Sequence, residues 1–154
     1  MEKKRSAGFT VIELLIVIGI IAMLASTLAV VINPARQLAK ARDTERETDL
    51  YGILAAVYQY QAEHSGALPD TDGNPQTSNF PTNPVCIGTD PGCYDLASAG
   101  DTGEEVVPVY MAAIPADPKT GTVGDTQYII FLDANNRLVA SASGETKGTI
   151  TITR

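Results

Sequence analysis

Few residues in this sequence have the type and spacing to do chemistry. Glu13 stands alone at the edge of a long apolar run, Cys86 and Cys93 form a C-x6-C pair in "CIGTDPGC", and His64 is the single histidine. The serines have no nucleophile-elbow context, and no glycine-rich phosphate loop is present. No H-x3-H, HExxH or paired CxxC offers a metal centre, and His64, near the end of a helix-forming stretch, reads as a polar helix-end residue rather than a base. No catalytic constellation emerges, and the chain reads as non-enzymatic. In an exported domain, Cys86 and Cys93 suit a disulfide across a turn containing Gly88, Pro91 and Gly92, whereas a metal pair lacks its second pair of ligands. What remains is one carboxylate set against oil.

That carboxylate needs an element to hold it. From Leu14 to Ile32 run nineteen residues without a formal charge, broken only by Gly19, Ser26 and Thr27. As a helix they span about 28 Å, close to the hydrocarbon thickness of a bilayer. Leu14, Leu15, Ile16, Val17, Ile18, Ile20, Ile21, Leu24 and Leu28 form its apolar surface. Lys3, Lys4 and Arg5 precede it and, by the positive-inside rule, hold the N-terminus in the cytoplasm. An ordinary secretory signal has a shorter apolar region, and the nearest small-x-small site, Thr27-Leu28-Ala29, is mediocre. A plain signal anchor fits the length but leaves Glu13 unexplained, because a charge deep in a bilayer costs on the order of 3 kcal/mol.

The stretch "GFTVIELLIVIGIIAML" resembles the N-terminus of a bacterial type IV pilin or pseudopilin: a basic leader ending in Gly8, then Phe9, then Glu13 four residues on, then the apolar run. The resemblance implies that prepilin peptidase removes residues 1–8 by cutting between Gly8 and Phe9, and that the new amine of Phe9 is N-methylated. It also implies subunit assembly through Phe9 and Glu13, with residues 9–33 serving first as membrane anchor and then as filament core. The chemistry is consistent with this. Glu13 lies about one helical turn from the new amine, where the helix dipole favours an anion. A subunit out of register would bury an unpaired charge, at a cost of several kcal/mol. The implied partners are further copies in a helical filament, prepilin peptidase, an inner-membrane assembly platform and, before assembly, the membrane itself. The implied location is a single pass of the bacterial cytoplasmic membrane with the N-terminus inside, then an extracellular pilus or the cell surface. A pilus subunit serving adhesion, motility or attachment is the first reading, favoured by a long polar loop and a local disulfide. A pseudopilin of a type II secretion or DNA-uptake machine is the alternative, and a signal-anchored binding domain that never polymerises is a third.

Beyond the apolar run the sequence predicts an α+β unit: a long N-terminal helix, half membrane-spanning and half amphipathic, packed on a small antiparallel sheet. Leu50, Ile53, Leu54, Val57 and Tyr60 make an apolar stripe at helical spacing within residues 34–64. Asn33-Pro34 either kinks one helix or caps a second, and the expectation is a kinked continuous helix from Phe9 to about His64, roughly 84 Å long. Between Arg36 and Asp49 charges alternate in sign, a pattern of a solvated face or of a bridge between subunits. In the exported domain 65–154, residues 65–104 are rich in Pro, Gly and Asn and read as a loop, and 105–154 as the sheet. Strands are expected at 127–132, 137–143 and 148–153, the last alternating Ile150 and Ile152 with threonines.

"YMAAIPADPKTGTVGDTQYIIFLD" also resembles a segment common in pseudopilins and many pilins, through Ile114-Pro115, Asp117-Pro118 and Tyr128. In major pseudopilins the loop after such a DP pair binds calcium through several acids. Here it holds Lys119 and one acid, Asp125, so Asp117 and Asp125 are the only calcium candidates and no cofactor is otherwise expected. The "DTDGN" stretch fails as a calcium loop because Pro75 stands where an EF-hand needs glycine. With a net charge of −7 and basic residues interspersed with acids, direct nucleic-acid binding is not expected.

Overall fold

The computed structural model describes residues 8–73 and 78–154, with Lys3, Lys4 and Arg5 outside that range. The chain divides into two compact units, residues 1–38 and 39–154.

In the first unit, helix α1 (Val11–Ile32) is apolar on every side. Val11–Leu28 is long and apolar enough to cross a membrane, and none of it is buried in the monomer. Its two hydroxyl residues do not interrupt it. Ser26 donates to the Met23 carbonyl and Thr27 to that of Leu24, each at 2.8 Å, so neither side chain presents an unpaired donor to an apolar medium. The helix stops at Asn33, which adopts a left-handed conformation (φ 46, ψ 77) that asparagine tolerates better than most residues.

Helix α2 (Pro34–Glu63) begins at the next residue, so Phe9 to His64 is not one kinked helix. Asn33 Oδ1 accepts from the Arg36 N–H at 3.2 Å, capping α2, while Pro34 takes the first helical position, where its missing N–H costs nothing.

In the second unit, Leu50, Ile53, Leu54, Val57 and Tyr60 on α2 are all buried. They join one core cluster with Tyr128, Ile130, Leu138, Ala140, Ala142 and Ile150 of the sheet, Tyr60 excepted. The sheet is antiparallel, in the order β1 (Val85–Cys86), β2 (Tyr128–Leu132), β3 (Leu138–Ser143), β4 (Thr149–Thr153). Tyr128 pairs with Ala142 and Ala142 with Ile150, so large and small side chains oppose each other on the inner face. In β4, Ile150 is buried and Ile152 half-buried, with the three threonines outward.

Two segments differ from expectation. Residues 105–127 contribute a short wound turn at Val106–Tyr110 and irregular chain rather than strand. The loop after α2 supplies the edge strand β1, whose Val85 pairs with Ile130, and buries Phe80, Ile87, Tyr94, Leu96 and Ala99. Tyr94 packs edge-on against Phe80 and donates its hydroxyl to the Pro69 carbonyl at 2.6 Å. A segment rich in turn residues is therefore still a core element. Cys86 and Cys93 are joined in a disulfide that closes this segment onto β1. Closing so short a loop restricts the unfolded chain by about 2.5 kcal/mol. Urea unfolding with and without reductant is expected to show a loss of that order, and superimposable curves would show that the bridge adds nothing.

Candidate functional site

The N-terminal residues singled out by spacing lie together at the start of α1. Phe9 is 83% exposed and precedes Thr10, the N-cap residue, whose extended backbone starts the helix. Thr10 Oγ1 accepts from the Glu13 N–H at 3.2 Å, and its carbonyl accepts from the Leu14 N–H at 3.2 Å. Thr10-x-x-Glu13 is thus the sequence of a capping box, a local signal for the start of the helix. It places Glu13 in the first turn, where the helix dipole favours its charge. Leu14, Leu15, Ile16, Val17, Ile18, Ile20, Ile21, Leu24 and Leu28 are all exposed. The arrangement is one anion at the head of a bare apolar rod.

The charged run on α2 behaves differently from a solvated face. Its apolar stripe continues backwards at the same three- and four-residue spacing, through Leu50 to Arg46 and Asp43, and both are buried, at 2% and 0% exposure. Arg46 donates through Nε to Asp117, through Nη1 to Asp43 at 2.9 Å, and through Nη1 and Nη2 to Glu145 at 3.2 Å. Asp43 also accepts from the Glu145 and Thr146 N–H groups at 2.7 Å and from the Thr146 hydroxyl at 2.6 Å, holding the β3–β4 turn. Arg42 makes a two-pronged bond to Glu145, at 2.6 and 2.8 Å. The stripe periodicity was the signal for this network.

Its electrostatics follow from pairing. Burial opposes ionisation of Asp117, but Arg46 and the N–H groups of Thr120 and Lys119 bring its pKa down to about 2. Arg42 draws Glu145 down to about 2, against the opposing effect of burial. Asp43 is lowered as well: burial resists, and the Thr146 hydroxyl, two backbone N–H groups and Arg46 outweigh it. Because these folded values lie below the ordinary 3.8 and 4.5, their stabilisation is full above those values and is lost as pH falls towards about 2. Melting midpoints should therefore hold down to about pH 5 and fall between about pH 4.5 and 2. A flat profile across that interval would contradict the network.

This geometry bears on calcium. Asp117 spends one oxygen on Arg46 and the other on the Lys119 and Thr120 N–H groups at 2.9 Å. Asp125 accepts from the Gln127 N–H and amide, both at 2.8 Å. Both carboxylates are thus engaged by protein donors, and Asp117 faces a guanidinium where a calcium ligand would face the cation.

A family model described as the prokaryotic N-terminal methylation motif matches residues 3–29. No curated protein and no solved structure matched the chain. The matched span holds Gly8, Phe9 and Glu13 and all of α1 up to Ala29. The chain thus carries the prokaryotic N-terminal methylation motif, the class III signal peptide that supports a type IV pilin or pseudopilin relationship, ahead of an apolar helix and a four-stranded antiparallel sheet in an α+β, pilin-like arrangement.

Proposed function

We propose that this chain is the structural subunit of a type IV pilus. Prepilin peptidase cuts between Gly8 and Phe9, Phe9 supplies the N-methylated amine, and α1 is first a membrane anchor and then the core of a helical filament. Glu13 meets the amine of a neighbouring subunit. The supporting observation is the one acid in the first turn of a helix whose span Val11–Leu28 carries no other charge and is exposed throughout in the monomer. Such a surface requires a bilayer or other copies of itself. The inner-membrane assembly platform would move it between the two, and the role is structural rather than catalytic.

A pseudopilin of a secretion or DNA-uptake machine is the second reading, favoured by the "IPADP" segment whose Asp117 binds Arg46. Mass spectrometry of the N-terminal peptide in sheared cell-surface material tests both. A peptide beginning at Phe9 and abundant in that fraction supports the pilus, and processed chain confined to the periplasm supports the pseudopilin. A chain that begins upstream of Phe9 or after Ala29 would overturn both and indicate an anchor or signal peptide.

A further inference from the structure

His64 follows the last residue of α2, and three groups fix its ring. It stacks on Tyr60 with centroids 3.8 Å apart and planes within 5°. Tyr110 stands edge-on at 6.4 Å. Its Nδ1 lies 2.8 Å from the Tyr60 carbonyl oxygen, which can only accept, so a proton is on Nδ1. Nε2 points at two carboxylates, 2.7 Å from Glu104 Oε2 and 3.8 Å from Asp101 Oδ2. A carboxylate can likewise only accept, so in the metal-free protein Nε2 also carries a proton, which a bound metal displaces to solvent.

The loop that brings those carboxylates is anchored to the same tyrosine. The Asp101 N–H donates to the Tyr60 hydroxyl at 3.2 Å, and the Glu104 N–H closes a turn onto the Asp101 carbonyl at 2.8 Å. Gly100, at φ 128, lies so close that a Cβ there would stand 2.9 Å from the Tyr60 ring. Side chains 57% and 59% exposed thus project from a backbone pinned beside the imidazole.

We propose that His64 Nε2, Asp101 and Glu104 form a binding site for a divalent transition metal of the zinc class, with water completing the coordination. Ligand atoms from the three residues all lie within 4.8 Å of one another. Tetrahedral zinc, with bonds of about 2.0–2.1 Å, holds its ligands about 3.3 Å apart, so shifts of rotamers alone close the set. The hydrogen bond from Nδ1 to a main-chain carbonyl is the outer contact that orients a metal-bound histidine and fixes its tautomer. An imidazole among the donors favours zinc, nickel or copper over calcium or magnesium. The other cluster of this kind among the described residues, Cys86, Cys93 and Asp125, is disqualified because its two sulfurs are bonded to each other.

The test is titration of zinc chloride into the chelator-stripped full chain in detergent micelles, followed by calorimetry. One saturable site per chain is expected, with Glu104→Gln and Asp101→Asn each weakening it about tenfold or more and His64→Gln abolishing it. Because Asp101 and Glu104 are exposed, their variants keep the fold and the result does not depend on the histidine variant being stable. Magnesium in large excess should leave the isotherm unchanged. Absence of saturable binding below about 1 mM zinc, or wild-type affinity in both carboxylate variants, would overturn the site.

Discussion

Arg46→Ala destabilises the 39–154 unit by about 3–5 kcal/mol, the largest single loss expected from any charged residue in this protein. The cost comes from what the substitution leaves behind rather than from the bonds removed. Asp43 and Asp117 are buried, and Glu145 keeps only a fifth of its side-chain exposure. Without the guanidinium, three carboxylates face one another with Arg42 and Lys119 reaching only Glu145. Arg46→Met, which keeps the stem, should do nearly as badly, since packing is not what fails. Adding Asp117→Asn to the methionine variant should recover part of the loss, and a double-mutant cycle by urea unfolding of the full chain measures the coupling. A loss below about 1 kcal/mol for Arg46→Ala would show that water already screens the cluster.

On the proposed pilus function, Glu13→Ala is expected to leave membrane insertion and cleavage after Gly8 intact and to reduce filament yield at least about a hundredfold. The magnitude follows from an amine left unpaired in a medium with little water, where a lone charge costs about 3 kcal/mol. Glu13 also donates its N–H to the Thr10 cap and sits at the third helical position of a capping-box sequence, so a loss of yield could reflect a frayed helix instead. Two variants separate these causes. Thr10→Ala removes the cap bond seen at 3.2 Å, worth about 1 kcal/mol, yet keeps the carboxylate. Glu13→Gln keeps the shape and removes the charge. Pairing requires the glutamine variant to fail and the Thr10 variant to assemble. Quantitative immunoblotting of sheared filaments decides, and normal yield from Glu13→Gln would end the pairing argument.

Legibility of the chain tracked how local each determinant was. The apolar run, the α2 stripe and the alternation in β4 are periodicities within one element, and they were readable. The break at Asn33 was readable only as a choice, because Asn-Pro satisfies either a kink or a cap. The left-handed backbone at a single residue decides it. Strand β1 is two residues in a proline-rich loop and exists because Ile129 and Ile130 offer an edge more than forty residues later. Nothing near Val85 announces that. Arg46 was concealed differently: alternating signs suggested solvent, and its partners Asp117 and Glu145 lie 71 and 99 residues away. The helical spacing that continues from Leu50 to Arg46 and Asp43 was the stronger signal. The carboxylates facing His64 come from a turn set by Tyr60, a contact with no trace in composition.

The uniform coat of α1 has a geometric consequence. The apolar surface of a rod that is equally oily all round can be spun about its own axis with little change in burial, so hydrophobicity alone carries no azimuthal address. A single acid breaks that symmetry, because it projects from one side of the helix only. A partner that pairs with Glu13 therefore fixes the angle of the rod as well as its depth, and Glu13 is the one charge in Val11–Leu28 able to do so.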